Sequence, residues 1–292
     1  MSDTENKKQE VIKELDQWFA KPNCEEFYFE EPVKTIEGIL SEDRIRKSVW
    51  LGFEQLEHWY KNNFVYKGLK EANVADQADA AAHGYFVIEL TSLLAKYFPN
   101  NPPSLDFHKA AGYLANVSIQ KWDTEAAKAL GMILDGLDTK LLKGGQNYKT
   151  AAWFIVVVAC KALNKNLLTG KYNYPPDMRV YQPVIDKWNT ADAGEVDELV
   201  SALCDYHLEQ ATAGDGKNVM NIQFSFTNEF VYAYEILSWL AIREMRGYKN
   251  PATYSHPLMQ LTINQLPKTI TPYKTTELYE RVLVKINKDF AV

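Results

Sequence analysis

Chemistry in this chain would have to come from its five histidines (His58, His83, His108, His207 and His256), its three cysteines and its carboxylates. A zinc or di-iron site on helices needs His, Cys or carboxylate ligands three or four residues apart, so that they share a face. Glu54 and His58 stand four apart, and Cys204 and His207 three apart. Neither pair belongs to an H-E-x-x-H or a doubled Glu-x-x-His, so no metal is expected. His207 falls on the helical face of Val196, Val200 and Leu203 and reads as a core histidine bonded to a neighbour. Glu89 and Glu235 sit in apolar surroundings; sharing a cleft with His207, they would supply acid–base catalysis. The simpler reading places each acid at the edge of its helix stripe, bonded to an Arg, a Tyr or the backbone. G-x-S-x-G, G-x-x-x-x-G-K-[ST] and G-x-G-x-x-G are all absent. Lys143-Gly144-Gly145 and Gly170-Lys171 lack a phosphate-loop context and read as helix ends. No catalytic residue and no cofactor is assigned.

The strongest chemical anomaly is charge. Residues 191–215 hold seven acids (Asp192, Glu195, Asp197, Glu198, Asp205, Glu209 and Asp215) and no Lys or Arg, against a net charge of −6 for the whole chain. With Val196, Leu199, Val200 and Leu203 facing inward, Glu198, Asp205 and Glu209 point outward. Asp192 and Glu195 suit a helix N-terminus. Asp205 and Glu209 lie toward the C-terminus, where the dipole disfavours anions by about 0.3–1 kcal/mol. As a like-charged i, i+4 pair they cost about 0.2–0.5 kcal/mol more. A solvated face is the plain reading. A docking surface for a basic partner is the functional one, with Asp192, Glu195, Asp197, Glu198, Asp205 and Glu209 as its candidate residues.

The elements that carry these residues read as helices. Apolar spacing gives a first helix over 5–20, then an extended aromatic and acidic stretch, 24–32, before Pro32. Ser41 reads as the N-cap of a long helix bearing Ile45, Val49, Phe53, Leu56 and Tyr60, and a second long helix runs over 76–97. Ile119-Gln-Lys-Trp-Asp-Thr124 recurs as Ile185-Asp-Lys-Trp-Asn-Thr190, and the apolar positions that follow keep the offset of 66. Glu89-Leu-Thr-Ser-Leu-Leu94 is echoed by Glu235-Ile-Leu-Ser-Trp-Leu240. The pattern predicts an all-α protein of ten to twelve helices, arranged as successive antiparallel hairpins over 41–103, 124–176 and 190–251. Short helices over 107–121 and 180–187 link the units, with Thr124, Thr190 and Thr227 as N-caps. Trp122 and Trp188 are packing wedges, and 275–287 is a closing helix. The β-branched run 155–158 reads as buried helix. Residues 1–292 form a single domain, with 1–105 and 106–292 as its possible subdivision.

Composition narrows the class. At 46% hydrophobic and 24% charged, the chain is that of an ordinary globular protein. The apolar run 151–160 is about half of the ~20 residues that a bilayer requires. The polar start of the chain has no signal-peptide core. Cys24, Cys160 and Cys204 are odd in number and read as reduced thiols of a cytoplasmic protein. The negative charge argues against nucleic-acid and anionic-membrane partners.

On four features the chain resembles the PoNi-type immunity proteins of polymorphic and type VI-delivered toxins, which pair two helical domains. These are a long early helix over 43–62, the segment 181–188, and the aromatic element Cys204-Asp-Tyr-His207. The fourth is the Glu-bearing helix 235–246, leading to Pro251 and His256-Pro-Leu258. That resemblance implies a non-enzymatic bacterial inhibitor that binds a cognate toxin, often a nuclease, and occludes it by steric and electrostatic blockade. A helical-repeat adaptor for another protein, and a bundle enzyme with a Glu89/Glu235/His207 cleft, are the alternative expectations.

Overall fold

A computed structural model of the chain describes residues 2–143, 148–167, 169–212 and 222–290. Among these residues lie eleven α-helices and one pair of two-residue parallel strands. The helices are α1 (Asp3–Phe19), α2 (Glu31–Leu40), α3 (Val49–Glu71), α4 (Gln77–Tyr97), α5 (Phe107–Ile119) and α6 (Asp123–Gly136). They continue with α7 (Thr150–Ala162), α8 (Tyr181–Asp186), α9 (Ala193–Gln210), α10 (Tyr234–Met245) and α11 (Glu277–Asp289). The fold is all-α, and the run 155–158 is buried helix inside α7. No helix among the described residues is long and apolar enough to cross a membrane.

Burial decides how the helices group. From Thr150 to Cys160 every residue of α7 is buried, as is every residue of α10 from Tyr234 to Arg243. A helix apolar all round needs neighbours on every side. Accordingly α5, α7 and α10 pack on one another at the centre, and α4 packs on α5. Helices α3 and α4 form the close hairpin expected of the first unit, whereas α6 with α7 and α9 with α10 touch only lightly. One contiguous apolar cluster runs from Val11 on α1 to Ile286 on α11. Gly84 permits the closest approach of α4 to α5: a Cβ there would stand 2.7 Å from Cδ1 of Tyr113.

Several expected boundaries move, each for a visible reason. The 24–32 stretch is not extended. A π-helical turn, Glu26–Glu30, leads straight into α2, with Pro32 in the first turn where its missing N–H costs nothing. Tilted ring contacts of Tyr28 with Trp18 and of Phe29 with Trp59 hold that turn against α1 and α3. Ser41 ends α2 rather than capping α3, its hydroxyl donating to the Gly38 carbonyl (2.7 Å). Residues 42–48 dock on α11, where Asp289 accepts from the Ile45 N–H and Lys285 donates to the Asp43 carbonyl. None of the three threonines caps a long helix. Helix α6 starts at Asp123, just after left-handed Lys121 (φ 59°). Asp192 takes the cap of α9, accepting from the Gly194 and Glu195 N–H groups. Thr227 opens only a 3-10 turn, and Asn264 accepts from the Ala233 N–H at the start of α10 instead.

Arg243 fixes α10 in place. Fully buried, it spends its guanidinium on neutral oxygens: the Trp188, Thr190 and Lys249 carbonyls and Oδ1 of Asn250, each at 2.9 Å. The Trp239 indole N–H donates to the same Trp188 carbonyl (2.9 Å). Trp188 thus contributes its carbonyl as well as a partly buried ring that packs against the core and meets Tyr248 edge-on, while Trp122 is buried and donates its indole N–H to the Thr271 carbonyl. Replacing Arg243 with Met removes the guanidinium donor from all four oxygens, and only the Trp188 carbonyl keeps another, the Trp239 indole N–H. The expected loss is at least about 3 kcal/mol, and Lys should not restore it because an ammonium cannot span the fork. Urea denaturation of both variants measures this; a loss under about 1 kcal/mol would show that the oxygens find other donors.

Candidate functional site

The Glu89/Glu235/His207 cleft does not form. His207 and Glu235 are buried together, Nδ1 to Oε1 at 2.8 Å, and Nε2 of His207 faces the Glu229 carbonyl at 2.9 Å. Glu89 lies apart on α4, accepting from the Tyr279 hydroxyl (2.5 Å). His207 is the core histidine that its helical position implies, and the two glutamates serve separate core contacts. Of the other histidines, His83 is buried with Nδ1 2.8 Å from the Asp79 carbonyl. His256 closes a turn and reaches Asp205 at 3.3 Å. Among the described residues no group of three or more His, Cys, Asp or Glu side chains is placed to hold a metal ion. The three cysteines are buried and free. Gly170 and Lys171 belong to a short 3-10 turn beyond α7; Gly144 and Gly145 lie outside the described residues.

The acidic helix is α9, and structure uses much of its charge. Asp192 is the cap, Glu195 pairs with Lys187 (2.5 Å), and Asp197 accepts from the Ser255 N–H (2.9 Å). Glu198, Asp205 and Glu209 are exposed, and Asp205 keeps 78% of its side chain in solvent even beside His256. Asp215 lies outside the described residues. Asp205 and Glu209 do not stand alone: with Asp3, Lys7 and Glu10 of α1 they line an open groove of about 600 Å³. The structure brings these acids together, which the sequence separation of α1 and α9 concealed.

A second site was not anticipated. Helix α3 presents Glu54, Glu57, His58 and Lys61 at i, i+3, i+4 and i+7, one stripe of a helix. Helix α5 presents His108, Lys109, Tyr113 and Asn116 toward it, the segment before α10 adds Phe226, Asn228 and Glu229, and α10 adds its first residue, Tyr234. Together with Tyr28 these side chains surround a cavity of about 260 Å³. Its floor is charged. Lys61 and Glu229 pair at 2.9 Å although both are nearly enclosed. Nε2 of His108 lies 3.2 Å from the Tyr234 hydroxyl and 3.7 Å from Glu229. Nearer the mouth Lys109 pairs with Glu54 at 2.9 Å.

Burial alone would raise the Glu229 carboxyl, but Lys61 and then His108 outweigh it and hold the group well below the usual carboxylate range. Lys61 is raised: its burial is outweighed by Glu229 and Glu57. Burial and the adjacent lysines push His58 down to about 4, so it is neutral at physiological pH. Glu57 behaves in the opposite sense. Only 5% exposed, with Oε1 enclosed and without a hydrogen-bond partner, it is raised by burial to about 7 despite the opposing pull of Lys61. A signal for Glu57 was present in the sequence. It stands four residues after Phe53, three before Tyr60 and seven before Phe64, an acid on an apolar face.

No family model, no curated protein sequence and no solved structure gives a match to this chain. The site therefore rests on its own geometry.

Because the Glu57 carboxyl is raised on folding, its contribution to stability is complete below about pH 4.5 and is lost as the pH climbs through about 7. A shift of this size is worth roughly 3 kcal/mol. Glu57→Gln should therefore gain on the wild type between about pH 5 and pH 8, by up to roughly that amount. Urea midpoints at the two pH values give the comparison. An equal difference at both would show that Glu57 does not titrate in this window.

Proposed function

We propose that the protein is a non-enzymatic inhibitor that binds and neutralises a basic protein, in the manner of the toxin immunity proteins that it resembles. The observation that carries this reading is the acidic groove: Asp205 and Glu209 on α9 face Asp3 and Glu10 on α1, with Lys7 as the only Lys or Arg lining it among the described residues. Glu198 extends the outer face of α9 along the same helix. A partner with a cationic surface, such as a nuclease that grips phosphates, would be steered to this face and have its own substrate surface covered. Three buried, unpaired thiols accord with action in the cytoplasm.

Outward charges can be reversed without touching the core, which makes the reading testable. The triple variant Glu198→Lys, Asp205→Lys and Glu209→Lys should keep its helicity and lower its melting temperature little. Its affinity for the co-purified product of the adjacent gene should fall by at least tenfold, mostly through slower association. It should also fail to rescue growth when that product is toxic. Unchanged affinity and full rescue in the triple variant would remove the acidic face from the account.

A further inference from the structure

The cavity between α3, α5 and the segment leading into α10 has an unusual balance of hydrogen-bonding atoms. Four side-chain atoms of its lining residues are buried and make no hydrogen bond among the described residues: Oε1 of Glu57, Oε2 of Glu229, Oδ1 of Asn228 and Nδ1 of His108. With both carboxylates ionised three of these accept only, and the fourth is an imidazole nitrogen that takes either role. The two lysines that line the cavity are already committed, Lys61 to Glu229 and Lys109 to Glu54. The acid left without a cation is Glu57, which is 95% buried by its 5% exposure. The walls suit positive charge as well. Nζ of Lys61 lies 5.5 Å from the centre of the Tyr234 ring and Nζ of Lys109 lies 5.8 Å from that of Phe226, both within cation–π range.

We propose that this cavity is a binding site for one hydrogen-bond-donating cation, a guanidinium or a primary ammonium group, seated against Glu57 with Asn228 and Glu229 as further acceptors. An anion is the poorer occupant: it would compete with Glu54 and Glu229 for lysines already paired and would leave the free acceptors unmet. Size sets a second limit. At about 260 Å³ the cavity falls below the ~300 Å³ at which drug-sized pockets begin. It fits a short alkyl chain bearing one charged head, either as a free small molecule or as the end of a Lys or Arg side chain. The site is separate from the α1–α9 groove and does not depend on the reading given to that groove.

Binding at Glu57 requires the carboxylate, so a cation should displace its proton. The titratable groups that line the cavity with Glu57 are Glu54, His58 and Lys61 from α3, His108, Lys109 and Tyr113 from α5, Glu229 from the segment before α10, Tyr234 at its start, and Tyr28; of these Lys61, Glu229, Lys109 and Glu54 act on its charge. Glu57→Gln keeps all of them and removes only the ionisable carboxyl, which isolates its part.

Isothermal titration of the full chain tests the proposal, with agmatine, n-butylamine and the capped peptide acetyl-Gly-Arg-Gly-amide as probes and inorganic phosphate as the anion control. At least one cation should bind, roughly tenfold more tightly at pH 8 than at pH 6, with proton release near pH 7 seen as a buffer-dependent heat. In Glu57→Gln the affinity at pH 8 should fall at least tenfold and the pH dependence should vanish, while the melting temperature at pH 8 is no lower than that of the wild type. Proton release by the wild type tests the same point without any variant. Binding of the free amines assigns the site to a small molecule, and binding of the peptide alone assigns it to a protein side chain. No heat from any cation at millimolar concentration overturns the proposal. So does cation affinity that Glu57→Gln leaves unchanged, or binding of phosphate in preference to all three cations.

Discussion

A helix buried on every side that nevertheless carries charge is the constraint on which this structure depends. Helix α10 contributes an arginine and a glutamate that are both fully enclosed, along with Trp239 and a run of aliphatic residues. Enclosing a charge costs several kcal/mol unless it is paired or fully hydrogen-bonded. Each charge must therefore recruit a partner from elsewhere in the chain. Glu235 recruits His207 from α9. Arg243 recruits carbonyls from the loop after α8 and from the turn that follows its own helix. The positions of α8, α9 and the 249–250 turn follow from these demands as much as from apolar packing.

The same constraint reaches the cavity. His207 bonds Glu235 through one ring nitrogen and faces the Glu229 carbonyl through the other. The Glu229 side chain turns away toward Lys61 of α3. One residue thus joins two polar clusters, its backbone held by the core and its carboxylate lining the cavity. Asn228 adds a parallel tie, donating to Asn62 of α3 at 2.6 Å. On the α5 side the Tyr232 hydroxyl donates to Asn116 at 2.8 Å. The short stretch before α10 is fixed on both flanks, so the cavity's acceptors are held in position before anything binds.

The sequence made the fold class legible because helical spacing survives wherever a helix has one wet face, as in α1, α9 and α11. It also placed the all-apolar run of α7 correctly, since length and flanking residues favoured a helix. Boundaries were less legible where a distant partner replaces the local cap. Asn264 serves α10, Asp289 holds the turn before α3, and neither lies within thirty residues of its target in sequence. The expected hairpins misjudged the centre for a related reason: a helix buried all round gives no periodicity to show which neighbour it prefers. Glu57 was hidden differently. On an apolar stripe a lone acid reads as a local exception, and its meaning depends on Lys61, His108 and Glu229, which come from three separate segments. The acidic face of α9 was visible because its residues fall within one short segment free of Lys and Arg, but the contribution of α1 across the groove was not.

The two acidic features differ in what they can do physically. Carboxylates on α9 are solvated and screened within about a Debye length, ~8 Å at physiological ionic strength, so they act on the rate and orientation of encounter. The polar side chains of the cavity, Glu57, Glu229, Asn228 and His108, are themselves buried, and there an unmatched charge or hydrogen bond weighs more. A buried Lys–Glu pair beside a half-titrated carboxyl is also an inefficient way to stabilise a fold, because well-packed apolar residues of similar volume commonly do as well or better. Stability alone therefore does not account for the cavity's composition. A site that exchanges a proton for a donor-bearing cation does, since the cation supplies the hydrogen bonds that the empty arrangement leaves unmade.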